Sequence, residues 1–239
     1  MSDSAPDQTS RNEDRLSPAE SRRSGLGNLR SSFDRRSQVI AGTALVLLAA
    51  YAVLGSAYTK FPGDLAVSTW VQSNGTGWLD TVMEAVAAAG TRYGALGVLA
   101  LAVVGTFLLR GVRPAVFLMA VAIFGVLVRT VLKLVIARPR PADELVRVMG
   151  ENDGYSFPSG HVMFYVVLLG ALYFLLTSPG LSGRTIRLIQ AVIAVALVLT
   201  GISRIYLGVH WLSDVLAGFV YGAALVVVSV WAWRRWGVA

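Results

Sequence analysis

The sequence predicts an all-α fold: a polytopic membrane protein built as a six-transmembrane helix bundle, with a short interfacial helix between spans 1 and 2. Three observations carry that prediction. Of the 239 residues, 55% are hydrophobic and only 15% charged, well below the charged share of about 25% usual for a soluble domain. Apolar runs of membrane-crossing length recur along the chain. The arginines gather in alternate connections between those runs.

Residues 1–37 are rich in Ser, Asp, Glu and Arg and poor in large apolar side chains. Such a segment buries too little surface to offset its ordering entropy, so a disordered cytoplasmic tail is expected there, followed by a membrane domain over 38–239. The first span covers Val39 to Tyr58, too long and too deep in the chain for the core of a signal peptide. Between residues 60 and 90, Leu79, Val82, Met83 and Val86 recur at helical spacing opposite Asp80 and Glu84. That pattern suits the interfacial helix. Asn74-Gly75-Thr76 matches a glycosylation sequon, which carries meaning only in a secretory pathway.

The remaining spans are expected at Tyr93–Leu109, Ala115–Ile136, His161–Leu176, Ile186–Ile202 and Leu212–Trp233. Arg35/Arg36, Arg110/Arg113, Arg184/Arg187 and Arg234/Arg235 flank alternate ends of these runs. By the positive-inside rule those flanks and both termini are cytoplasmic, and the loops 59–92, 137–158 and 203–211 lie outside. The formal charge of +7 is therefore explained by topology. It is scattered between spans rather than gathered on one face, which argues against a nucleic-acid partner. The chain has no cysteine, so disulfides, thiolate nucleophiles and cysteine metal sites are excluded.

Three polar stretches meet at the outer face. Lys133 lies about one turn inside the end of the third span, with Arg140-Pro141 just beyond. Cations are what an outer loop should avoid, so a role beyond snorkelling is indicated. Pro158-Ser159-Gly160-His161 opens the fourth span. Ser159 suits an N-cap, Gly160 admits a ligand to the backbone, and the helix start attracts anions. The third stretch is Ser203-Arg204 through His210 to Asp214, where an i, i+4 spacing places His210 and Asp214 on one helical face. The carboxylate would fix the imidazole tautomer and leave one nitrogen free to attack.

Cations, an anion cradle, two imidazoles and one carboxylate suit phosphoryl transfer. One histidine attacks while the other protonates the departing oxygen. No carboxylate cluster is available for a divalent metal, so the cations take over charge neutralisation. Outside these stretches, Arg129 lies one turn before Lys133. It is expected to pair with Asp80 or Glu84, or to extend the cationic pocket toward a second phosphate. Gly218 and Gly222 have small-xxx-small spacing, expected to serve packing within the bundle.

Lys-x6-Arg-Pro, Pro-Ser-Gly-His and Ser-Arg-x5-His-x3-Asp, in this order, resemble the signature of the type 2 phosphatidic acid phosphatase superfamily. The resemblance covers residues 60–233 without departure at any signature position. It implies His210 as the nucleophile forming a phosphohistidine, Asp214 as its orienting group and His161 as the general acid. It further implies phosphate binding by Lys133, Arg140, Ser159, Gly160 and Arg204, with no metal and no cofactor. The implied partner is a membrane lipid substrate: undecaprenyl diphosphate, phosphatidylglycerophosphate or phosphatidate. A lipid phosphotransferase would use the same intermediate. A vanadate-dependent haloperoxidase is disfavoured by the six spans, and a transporter or scaffold by the intact signature.

Overall fold

A computed structural model describes residues 18–150, 153–177 and 182–236, with side chains from Ser37 to Arg235. Its helices are α1 (Pro18–Ala57), α2 (Asp64–Ser73), α3 (Gly77–Ala88), α4 (Arg92–Arg110), α5 (Val112–Ile136), α6 (Gly160–Leu176), α7 (Gly183–Tyr206) and α8 (Leu212–Trp236). Among the described residues there is no strand. The chain divides into a first unit, Met1–Leu47, and a second, Leu48–Ala239.

Within the first unit α1 already begins at Pro18, so residues 18–37 are helical where composition favoured disorder. A helix satisfies its own backbone without burying side chains. The expected disorder of residues 1–17 lies outside the described residues.

Five helical stretches are long and apolar enough to cross a membrane: Ser37–Ala57, Arg92–Arg110, Val112–Ile136, Gly183–Tyr206 and Leu212–Arg235. The sixth expected span, α6, is apolar but shorter, at 17 residues. It is about 25 Å long and lies at the centre of the second unit. It packs on α5, α7 and α8, and Val162, Met163, Val167, Leu168 and Ala171 are all almost fully buried. A helix apolar on every side belongs in such a position. By contrast α4 and the outer faces of α5 and α7 expose Leu101, Leu108, Val135 and Val192, as a bilayer-facing surface should.

The α6–α8 contact depends on glycine. A Cβ at Gly218 would stand 2.9 Å from Val162 Cβ, and one at Gly222 would stand 2.8 Å from Val166 Cβ. The small-xxx-small pair therefore packs within the bundle, as expected.

Two short helices, rather than one, separate the first two long spans. In α3, Met83 and Ala87 are buried against Tyr206, Leu207 and Val209. The additional helix α2 carries buried Asp64 and Ser68, a polar inner face that no apolar periodicity announces. Asp80 of α3 accepts hydrogen bonds from Tyr206 Oη and from Arg147 Nη2 (3.0 Å). The Tyr206 hydroxyl, reinforced by Arg147, holds the Asp80 carboxyl below the usual carboxylate range. Gln72 adds a second tie, donating to Arg147 O (2.7 Å) and Tyr206 O (2.9 Å) and accepting from Arg147 N (3.0 Å). Together these bonds tie the long α5–α6 connection to α2, α3 and the end of α7.

Candidate active site

The site is assembled from the end of α5, the connection after it, the start of α6 and the turn between α7 and α8. The α5 helix stops at Ala137, whose φ of 49° is left-handed. Arg138 and Arg140 each precede a proline. Proline confines the residue before it to extended backbone, and residues two apart in extended chain face the same way. Both guanidinium groups consequently reach the α7–α8 turn.

His210 and Asp214 do come together, but not on one helical face. His210 stands in the turn before α8, and Asp214 lies in the first turn of α8. Asp214 Oδ2 accepts from Trp211 N at 2.8 Å, the reach of a third helical residue back to the cap amide. The separation of His210 Nδ1 from Asp214 Oδ2 is 3.6 Å, too long for a direct hydrogen bond. Ser156 bridges the gap. Its Oγ lies 3.3 Å from His210 Nδ1 and donates to Asp214 Oδ2.

The opposite edge of the His210 ring faces cations. Arg140 Nη1 lies 3.4 Å from His210 Nε2 and donates to Val209 O at 2.8 Å. An arginine can only donate, so Nε2 carries a lone pair and Nδ1 the proton. Burial is the main cause that pushes the His210 pKa down to about 3, and Arg140 and Lys133 add to it against the pull of Asp214. The imidazole is neutral at ordinary pH and holds the tautomer a nitrogen nucleophile needs. Burial also lowers the pKa of Arg140, partly offset by Asp214 and Asp153.

His161, near the start of α6, presents Nε2 to Arg204 Nη1 at 3.3 Å. It lies within electrostatic reach of His210 and Arg140. The ring rests on Gly90: a Cβ there would lie 2.1 Å from His161 Cδ2. Lys133 Nζ donates to Tyr155 O. Ser159 occupies the N-cap position of α6 but makes no side-chain cap bond, and its buried Oγ has no partner. Arg204 Nη2 and Arg129 Nε are likewise buried without partners. Orphaned buried donors are rare, and a group of them suits a bound anion.

Three residues that the sequence reading passed over complete the arrangement. Arg138 is buried and donates through Nη1 to Asp214 Oδ1 (2.6 Å) and Ser213 Oγ (2.8 Å). Its Nη2 pairs with Asp64 Oδ2 at 3.0 Å. Asp64 also accepts from Ser213 N (2.9 Å), Ser213 Oγ (2.6 Å) and Phe61 N (2.7 Å). Ser156 is the third, its backbone N–H donating to Arg138 O at 2.8 Å. The ion pair expected between Arg129 and Asp80 or Glu84 does not form. Asp80 is taken by Arg147, Glu84 is exposed, and Arg129 lies against Gly160, whose Cβ would come within 3.0 Å of its Nη1. Among the described residues no group of His, Cys, Asp or Glu is arranged to hold a metal ion.

The family model described as the PAP2 superfamily matches residues 113–237. The chain is 32% identical over 149 residues to phosphatidylglycerophosphatase B of Bacillus subtilis (strain 168), covering 62% of this chain and 72% of that protein. It is 34% identical over 111 residues to an undecaprenyl-diphosphatase of Sulfolobus acidocaldarius, covering 45% of this chain and 50% of that one. Among solved structures, the transmembrane PAP2-type phosphatidylglycerolphosphate phosphatase from Bacillus subtilis superposes with a TM-score of 0.69 at 27% identity, over 80% of this chain and 96% of that one. Aquifex aeolicus LpxE shares the fold, with a TM-score of 0.59 at 24% identity over 71% and 96% of the two chains. The chain belongs to the PAP2 superfamily, as one of its membrane phosphatases.

Proposed function

We propose that the protein dephosphorylates a membrane lipid at the extracytoplasmic face through a phosphohistidine on His210. The substrate class is a lipid phosphomonoester or diphosphate, phosphatidylglycerophosphate and undecaprenyl diphosphate being the examples that the relatives' names suggest. One observation carries the reading. The Nε2 lone pair of His210 points at Arg140, while Ser156 and Asp214 hold the far side of the ring.

In this mechanism Lys133, Arg140 and Arg204 neutralise the phosphoryl oxygens, and Ser159 Oγ with the amides at Gly160 completes the cradle. His210 Nε2 attacks phosphorus in line as the bond from phosphorus to the lipid-side oxygen breaks. His161, protonated when the bound phosphate offsets the cations beside it, gives its proton to that oxygen, releasing a lipid alcohol or a lipid monophosphate. Neutral His161 then takes a proton from water, which attacks the phosphohistidine and releases inorganic phosphate. Asp214 stabilises the charge on the His210 ring throughout. In this reading the lipid tail stays in the bilayer while its headgroup enters the site.

Sidedness rests on charge. Lys133, His161 and Arg204 stand at one end of their helices with His210 in the turn beside them, while Arg110, Arg113, Arg184, Arg187, Arg234 and Arg235 mark the other end. The positive-inside rule makes the arginine end cytoplasmic, together with both termini.

The test is phosphate release from phosphatidylglycerophosphate, undecaprenyl diphosphate and phosphatidate by detergent-purified protein in EDTA, with His210→Ala alongside. Release that disappears in the variant is expected. Undiminished release by His210→Ala, or release that EDTA abolishes, would overturn the mechanism. Folded protein that releases nothing from any of the three would point to transfer onto a lipid acceptor.

A further inference from the structure

Arg129 is the buried cation that the mechanism leaves unused. It lies on α5 one turn before Lys133, about 6 Å further into the membrane along the helix. Its Nε is buried and has no hydrogen-bond partner, and the carboxylates expected to pair with it are elsewhere. The guanidinium rests on Gly160, the first residue of α6, where any Cβ would stand 3.0 Å from Nη1 and 3.1 Å from Cδ. Glycine at that position thus lets Arg129 lie beside the anion cradle. On its other side Arg129 stands at the site end of a narrow apolar crevice between α5 and α6, lined by Ala122, Gly125, Val126, Phe164 and Val167. Among the described residues no carboxylate pairs with Arg129; a cation within a span is costly, and such residues mark ligand paths.

The geometry points to Arg129 as a specificity-determining residue: it binds the lipid-side phosphate of a diphosphate whose terminal phosphate faces His210, with the adjoining apolar chain entering the α5–α6 crevice. The inference rests on the phosphatase reading and narrows it to lipid diphosphates as the preferred class. The order of groups matches the depth of the site. The terminal phosphate meets Lys133, Arg140 and Arg204 near the surface, the second phosphate meets Arg129 one turn deeper, and the hydrocarbon follows. A glycerol linker in place of the second phosphate would bring no charge to Arg129.

Binding separates this inference from catalysis. Farnesyl methylenediphosphonate and the same-chain farnesyl phosphonate would be titrated against wild type, Arg129→Gln and Arg129→Lys in detergent, beside hydrolysis of the corresponding esters. Wild type should prefer the diphosphonate by at least about tenfold. Arg129→Gln should weaken it by about 10- to 100-fold, the range for a charge-assisted hydrogen bond, and weaken the monophosphonate by less than about 3-fold. Arg129→Lys, which keeps the charge, should retain most of the preference. Equal weakening of both ligands in the variants, or equal binding of both by wild type, would overturn the assignment. Failure of the phosphatase reading looks different: the binding preference persists while wild type hydrolyses neither ester.

Discussion

Replacing Arg138 with methionine tests whether the buried charge group behind His210 holds the site together. Arg138 pairs with two buried carboxylates, Asp214 at 2.6 Å and Asp64 at 3.0 Å, and its side chain has no exposure. Methionine preserves much of the volume but leaves both carboxylates without their cation. Breaking a buried pair from one side destabilises by about 3–5 kcal/mol. At about 2–4 °C per kcal/mol for a chain of this size, the unfolding midpoint in detergent should fall by roughly 6–20 °C. Arg138→Met combined with Asp64→Leu removes one of the stranded charges and should recover part of the loss. Intrinsic tryptophan fluorescence during heating reads the midpoint. Arg138 touches Asp214 rather than any substrate, so kcat should fall while KM stays near wild type. A midpoint shift below about 2 °C, on a scale where a single surface change is worth about 0.5 kcal/mol, would refute the account. So would a double variant less stable than Arg138→Met.

Two other outcomes follow from contacts at the histidines. Gly90→Ala would place a methyl where the His161 ring now rests, and a ring displaced by about 1 Å should lower kcat by roughly 100-fold with little change in unfolding midpoint. A variant with wild-type kcat would show that His161 does not need its present position. For His210, burial and the neighbouring cations keep the ring neutral well below its usual range. Its folded pKa is depressed, so the stability it contributes is present above about pH 6.5 and is lost as pH falls toward about 3. Nitrogen NMR of the free enzyme should show a proton on Nδ1, a lone pair on Nε2 and no titration of His210 between pH 5 and 8. A midpoint near 6.5 would contradict that environment.

What the sequence made legible is what short segments determine for themselves. Span positions follow from apolar runs because a helix satisfies its own backbone wherever the solvent is lipid. The three motif segments are legible because each is local, and the fold merely delivers them to one end of the bundle. The missed residues share the opposite property. Ser156 matters only because the α5–α6 connection brings it between His210 and Asp214, residues more than fifty positions downstream. Asp64 sits in α2, whose buried face is polar and carries no hydrophobic periodicity. Its role appears only when Arg138 and Ser213 close on it. Gly90 announces nothing until an imidazole lies on it. The helical i, i+4 argument for His210 and Asp214 reached the right pair by the wrong geometry, because Asp214 bonds back to the cap amide and leaves His210 in the turn.

That geometry also explains why the site needs carboxylates that never meet the substrate. Lys133 and Arg140 lie close to the His210 imidazole, and neighbouring cations favour loss of its proton. In the proposed mechanism this helps, since His210 must be neutral before it attacks. After attack, however, the ring carries positive charge amid the same cations. Asp214 is placed to stabilise that charge, yet an unpaired carboxylate so deeply buried would itself be unstable. Arg138 resolves the conflict by pairing with Asp214 on the oxygen that faces away from His210. Asp64 then balances Arg138 through its other nitrogen. Cation and carboxylate thus alternate outward from the imidazole, and the phosphate-facing cations are not drawn into these pairs. Neutralising Asp64 should therefore slow the step that charges His210, although Asp64 lies two charges away from it.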